Sequence, residues 1–172
     1  MEIKDSGERR EFSTGAVRDI QEGKGRCDLM PLDVVAKGMN DDAVLYFIAH
    51  FVETGTLEYL CVTLDEFGQN HYKKENEQPY HEYMADMFLD VAKHFEAGAK
   101  KYGENNWQKG IPVHCYIDSA VRHYLKFRRG DDDEPHDRAF VWNIMCCIWT
   151  LKNHPELDDI CHNASSLTSG DM

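Results

Sequence analysis

Between Pro79 and Gly103 the chain carries one uninterrupted helical period. Met84, Met87, Phe88, Val91, Phe95, Ala99 and Tyr102 recur at three- and four-residue steps, which lays a single apolar stripe along a helix. Proline is favoured where a helix starts and glycine just past its end, so the sequence predicts a helix over about 80–102. As a strand, the same residues would scatter onto both faces. A helix of that length with one wet face needs other helices to cover its dry one, and this limits the chain to helix-on-helix architectures.

The flanking sequence supplies those partners. Val113, Ile117, Val121 and Tyr124 mark the inward face of a helix over about 113–129, ended by Gly130. Val141, Ile144, Ile148 and Leu151 mark another from about Pro135 to Asn153, stopped before Pro155. Upstream, Pro31 opens a short helix, and a second runs from about Asp41 to Glu53 before Gly55. Residues 56–64, TLEYLCVTL, fit helix or strand, and the polar run at 68–78 reads as a loop. There is no internal repeat. The expected fold class is all-α, a helical bundle built over residues 31–155.

Residues 1–30 are rich in glycine and charge. Gly15, Gly23 and Gly25 argue against a long helix there. Phe12, Val17, Ile20 and Leu29 are nevertheless spaced as anchors, so the segment is expected to be ordered and packed on the core, with Phe12 and Leu29 pinning its ends. Residues 156–172 form a polar tail expected to fray.

Composition narrows the function. A formal net charge of -12 opposes broad attraction to nucleic acid or an anionic membrane surface. No stretch approaches the apolar length of a membrane span and the first residues carry no apolar signal core, so an intracellular, cytoplasmic protein is expected. The six cysteines form no CxxC pair, which fits reduced thiols filling the core better than a zinc site.

The chemistry concentrates between His94 and Asn143. Four of the nine histidines lie there, with Glu96, Asp118, the acidic run from Asp131 to Asp137, and Lys100, Lys101, Arg122 and Lys126 among them. Carboxylates hold hard divalent cations and Lys and Arg hold phosphate; together they suit metal-assisted chemistry on a nucleotide. Mixed charge is equally the pattern of a solvated helix face, and Glu96–Lys100 and Asp118–Arg122 read also as plain i,i+4 ion pairs. Asp86, Asp90 and His94 form a ladder that fits a solvated acidic face better than a cation site. His136 and Asn143 share one face of the last helix, where an asparagine needs a polar partner. In the loop 103–110, Trp107 between amides and Lys109 could stack on a base or cap the core. Lys24 between two glycines, followed by Arg26, could bring backbone N–H groups and charge to a phosphate.

Four stretches in order carry a resemblance: FSTGAVRDIQEGKGRCDLMP, HFEAGAKKYGENNW, YIDSAVRH and HDRAFVWN. They resemble the phage dATP/dGTP diphosphohydrolases, relatives of the MazG-type all-α nucleotide pyrophosphohydrolases. The match covers 12–32 and about 90–150, and residues 38–79 stand out as an insertion. The resemblance implies hydrolysis of a purine (deoxy)nucleoside triphosphate to the monophosphate and pyrophosphate with Mg²⁺ or Mn²⁺, in an oligomer, dimer or tetramer, working in the host cytoplasm. The EExxE helix of the MazG-type enzymes does not stand here, so the nearest carboxylates are taken in its place. Glu96, Asp118 and His123 are the expected catalytic residues, and Glu96, Asp118, Asp133 and His136 the expected metal ligands. Arg18, Lys24, Arg26, Lys100, Lys101, Asn106, Trp107, Arg122, Lys126 and Asn143 are the expected substrate contacts, with the N-terminal segment lying across the pocket. Two other readings remain open: a nucleotide-binding protein without turnover, and an HD-type phosphohydrolase built on His136-Asp137.

Overall fold

The computed structural model describes residues 7–163; the first six residues and the end of the polar tail lie outside them. The chain opens with a small antiparallel hairpin, β1 (Arg9–Glu11) and β2 (Val17–Asp19), in register Arg10 opposite Arg18. A 3₁₀ turn at Cys27–Leu29 leads into six helices: α1 (Leu32–Gly38), α2 (Ala43–Thr54), α3 (Glu58–His71), α4 (Tyr80–Tyr102), α5 (Val113–Arg129) and α6 (His136–Asn153). Short 3₁₀ turns at Asn106–Lys109 and Pro155–Leu157 complete it. The all-α class stands, with the hairpin as its one sheet among the described residues.

The helix ends follow the punctuation of the sequence. Prolines 31, 79, 112 and 135 each sit just ahead of a helix, where a missing N–H costs nothing. Asp42 caps α2 by accepting from Leu45 N at 3.1 Å. Its carboxylate also takes the Tyr124 hydroxyl at 2.8 Å and the Arg128 guanidinium, so one buried cap ties the start of α2 to the end of α5. The ambiguous 56–64 stretch is helical, and α3 continues to His71 into what reads as loop. Phe67 explains the extension: it is fully buried and its ring lies 4.7 Å from Phe140, so tertiary packing holds the polar turn behind it in helix.

One hydrophobic core joins the elements. The most extensive helix contact is between α5 and α6, with α4 against α6 and α2 against α3. Gly68 lets α3 approach α4 closely: a Cβ there would lie 2.5 Å from Met84 Sδ. On α4, Met84, Met87 and Val91 are buried as the stripe predicts, but Phe88 is exposed and Tyr83 takes an inward place. Residues 38–79, which stand outside the resembling motifs, supply α2 and α3, and these contribute Leu45, Ile48, Phe51 and Leu64 to the same core.

Both ends of the described chain dock onto the helices. Ala16 at the hairpin turn is fully buried and Phe12 packs against the core, whereas Leu29, expected as a pin, is 71% exposed. Downstream of α6, Asp159 receives His114 N at 3.0 Å and meets the His114 ring, and Asn163 N donates to Glu53 O at 2.7 Å. The polar tail is therefore held as far as Asn163.

Candidate active site

The hairpin and the segment after it close over α4, α5 and α6 and leave a cleft of about 990 Å³ between them, the size range of small-molecule sites. Three of its contacts fix β2 in place. Asn106 imitates a strand neighbour: its Oδ1 accepts from Val17 N and its Nδ2 donates to Val17 O, both at 2.8 Å. Asp19 accepts from Lys101 Nζ at 2.9 Å and Tyr102 Oη at 2.8 Å, joining β2 to the end of α4. Arg18 reaches inward to Asn143 Oδ1 at 3.0 Å, Ser119 Oγ at 3.2 Å and Cys115 O at 3.3 Å, while its guanidinium lies over the Tyr116 and Trp142 rings. Asn143 in turn donates to Ala139 O at 2.8 Å, so this buried amide is satisfied.

The lining of the cleft is of two kinds. Phe95, Tyr102, Trp107 and Trp142 bring rings to it, with Trp107 edge-on to Phe95 and to Trp149. Trp107 thus packs on neighbouring rings and lines the cleft as well. Arg10, Lys24, Arg122 and Lys126 bring cations. Burial lowers the pKa of Lys24, the charge of Asp19 opposes that shift, and the nearby charges of Arg122, Arg18 and Lys101 push it down further; a group of cations repelling one another is relieved by an anion among them. Arg10, His94 and Arg122 line the cleft, and each keeps one buried ring or guanidinium nitrogen without a hydrogen-bond partner, the condition of a site that expects a ligand. His94 is held neutral, its pKa pushed down to about 4 by burial and then by the charges of Arg138 and Arg18.

Beside Lys126, α5 and the turn into α6 bring His123, Glu134 and His136 together, their ligand atoms within 4.8 Å of one another. His123 Nδ1 and His136 Nδ1 are 2.9 Å apart, and His136 Nε2 meets Asp133 Oδ1 at 2.8 Å. Burial, then His136, drives the His123 pKa well down, which keeps a lone pair for coordination. Asp131, Asp133 and His136 form a second, overlapping group. Asp131, however, is held by Arg129.

The model of the dATP/dGTP diphosphohydrolase N-terminal family matches residues 66–160, more than half of the chain and all of α4, α5 and α6. The chain belongs to that family. A curated dATP/dGTP diphosphohydrolase from Salmonella phage PMBT28 is 31% identical over 75 residues, covering 41% of this chain and 26% of the relative. The chain thus aligns with about a quarter of that relative's length. No solved structure matches. No helix among the described residues is long and apolar enough to cross a membrane.

The family region carries the aromatic lining residues and the His123 cluster, while Arg10, Arg18 and Lys24 come from outside it. Of the expected substrate contacts, Arg18, Lys24, Asn106, Trp107, Arg122, Lys126 and Asn143 line the cleft, but the amide of Asn106 and the guanidinium of Arg18 are engaged within the protein. Arg26 instead makes a two-pronged pair with Asp28 at 2.7 and 2.5 Å, outside the lining. Lys100 pairs with Glu96 on the surface, and Lys101 with Asp19. The four expected metal ligands do not converge. Glu96 lines the cleft rim with its side chain 66% exposed. Asp118 is buried, with Oδ1 accepting from Cys27 N at 2.7 Å and Oδ2 taken by Arg122; both oxygens are occupied. Asp133 and His136 do meet. The Asp86–Asp90–His94 ladder divides: Asp86 pairs with Lys74 and Asp90 with Lys93, while His94 is turned into the cleft wall. Glu134 is the carboxylate of the His123 group that the expected set omits, and its signal is in the sequence: a carboxylate two residues before His136, across Pro135. His94 and Arg10 were missed as cleft residues.

Proposed function

We propose that this protein hydrolyses a purine (deoxy)nucleoside triphosphate, (d)GTP or dATP, to the monophosphate and pyrophosphate with a divalent cation. The observation that carries the reading is the mixed lining of the cleft: rings for a flat base, cations for a phosphate chain, and a His–carboxylate cluster beside Lys126. The family supports it through a relative named for acting on dATP and dGTP.

In this reading the base lies against Trp107, Phe95 and Tyr102, where aromatic stacking is worth about 1–3 kcal/mol per base. Lys24, Arg122 and Lys126 receive the phosphates and offset the charge of an acidic protein. Lys126 Nζ lies 3.8 Å from Glu134 and 3.9 Å from Asp133, so it joins the cationic lining to the cluster. His123, Glu134 and His136 offer the donors for the cation. A divalent ion there would polarise phosphate oxygens and acidify a water. The water oxygen bonds to the α-phosphorus, the bridging P–O bond breaks, its electron pair leaves with pyrophosphate, and the water's proton passes to solvent. Arg10 and Arg122 have donors to meet the charge that grows on the leaving group.

The HD-type reading has little in its favour. Asp137 of the His136-Asp137 dipeptide acts electrostatically on His71 and Tyr72 against α3 and is absent from the ligand groups that include His136. The deciding experiment incubates the pure chain with each ribo- and deoxyribonucleoside triphosphate plus Mn²⁺ or Mg²⁺ and separates the products. Monophosphate and pyrophosphate from a purine substrate are expected. Nucleoside and triphosphate would indicate the HD-type reaction, and binding without turnover would make this a nucleotide-binding protein. The reading carries a homo-oligomer, dimer or tetramer, and sedimentation as a 19.9 kDa monomer would overturn that part of it.

A further inference from the structure

The cluster beside the cleft is richer in imidazole than the three carboxylates and one histidine expected from sequence. Two of its three groups are imidazoles, and imidazole suits first-row transition ions such as Fe²⁺ and Zn²⁺, with Mn²⁺ the weakest binder of that series, whereas Mg²⁺ takes oxygen and dehydrates reluctantly. The hydrogen bonds also assign the ring nitrogens. A carboxylate accepts only, so the 2.8 Å contact to Asp133 Oδ1 places the proton of His136 on Nε2. That leaves the Nδ1 lone pair of His136 directed at the place where His123 Nδ1, at 2.9 Å, and Glu134 Oε1, at 3.9 Å, converge. Adjacent donors on one ion with bonds of about 2.1 Å lie about 3.0 Å apart at right angles and about 3.4 Å apart at tetrahedral angles, and the two ring nitrogens, at 2.9 Å, are close to the first of these. A carboxylate behind a ligating histidine is the usual outer support of such a site.

The site is also backed by its surroundings. His136 is 2% exposed and Glu134 is largely covered, its side chain 15% exposed. Of the two overlapping groups, the one containing Asp131 would need Asp131 released from Arg129 and the Nε2 proton of His136 removed from Asp133. The group containing His123 asks only that a proton leave the His123–His136 contact.

We propose that His123, Glu134 and His136 form a binding site for a single first-row transition-metal ion, Mn²⁺ and Co²⁺ included, in preference to Mg²⁺, with Asp133 as the positioning residue that orients His136. The proposal rests on the functional reading above for the ion's role but not for its binding. The opposing possibility is a buried hydrogen bond between the two imidazoles that holds α5 to the turn before α6 and takes no metal.

The test is direct binding. The full chain, stripped with chelator, is titrated with Mn²⁺ by calorimetry and by the loss of the free-ion electron spin resonance signal, and with Co²⁺ by its visible absorption. One ion per chain is expected, with Mg²⁺ at equal concentration failing to displace it. Glu134→Gln and His136→Gln should lose Mn²⁺ binding with the helical circular dichroism kept, and Glu134→Gln, at the less buried position, remains informative if His136→Gln fails to fold. Asp133→Asn should weaken binding roughly 10–100-fold and shift the Co²⁺ spectrum, which a merely structural role would not do. No Mn²⁺ binding, equal binding in the folded Glu134→Gln variant, or displacement by equimolar Mg²⁺ overturns the proposal. Stoichiometric Mn²⁺ binding without hydrolysis of any nucleotide would leave this site standing and remove the hydrolase reading. Hydrolysis and Mn²⁺ binding both undiminished in the folded Glu134→Gln variant would keep the hydrolase reading and remove this site.

Discussion

Asp118→Asn separates the two roles that this residue can have. If Asp118 were a metal ligand, the substitution would remove charge, keep shape, and act on turnover alone. The structure gives it a different task. Its side chain is 2% exposed, one oxygen accepts from Cys27 N and the other holds Arg122, whose own side chain is 14% exposed. Losing one partner of a buried ion pair costs about 3–5 kcal/mol. Asparagine keeps one acceptor, so it can serve Cys27 N only by turning its NH₂ toward a guanidinium that also only donates, and a loss of roughly 2–3 kcal/mol follows. For a chain of this size that is a fall in Tm of about 4–12 °C. Asp118 also holds the Cys27 amide and keeps Arg122 in the cleft lining, so KM for the nucleotide should rise by more than kcat falls. Thermal unfolding, Mn²⁺ titration and steady-state kinetics on one preparation are sufficient to decide. A variant with unchanged Tm that has lost Mn²⁺ binding would refute the reasoning and restore Asp118 as a ligand.

Three further outcomes are expected. His94 has a folded-state pKa near 4 against an ordinary 6.5, so between those pH values the unfolded chain holds more protons and stability falls as pH drops, by up to about 3 kcal/mol; urea denaturation from pH 7 to pH 5 should show a shallower decline in His94→Gln, and an identical slope would refute this. Asn106→Ala leaves the Val17 N–H and C=O without partners and should cost roughly 2–3 kcal/mol, with nucleotide binding weakened because β2 is released; unchanged binding would mean that the hairpin does not shape the cleft. Deleting residues 1–26 removes Arg10, Arg18 and Lys24 and strips Asn143 and Ser119 of their guanidinium partner, so a helical spectrum should persist with a lower Tm and greatly weakened nucleotide binding. A truncated chain that binds and hydrolyses like the full one would show the segment to be dispensable.

What the sequence determined by itself is the set of helices. The period from Met84 to Tyr102, the inward residues of α5 and the proline and glycine punctuation act over three or four residues, and short-range sterics and one-sided burial are enough to read them. Even there, packing intervened, holding the polar end of α3 in helix behind Phe67 and leaving Phe88 outside. The concentration of chemistry between His94 and Asn143 was legible as well, because charge, aromatic and amide residues crowd that stretch. Which of them would meet was not. Arg18 finds Asn143 across 125 positions, Asn106 finds Val17 across 89, and Asp118 finds the Cys27 amide across 91. Each pairing takes up a polar group that sequence alone presents as available to substrate or metal. A side chain's role depends on what else has reached its hydrogen-bonding atoms. Only the folded arrangement of the hairpin over α4, α5 and α6 decided that Asp118 would pin the chain and that Glu134 and His123 would line the cleft with His136 beside them.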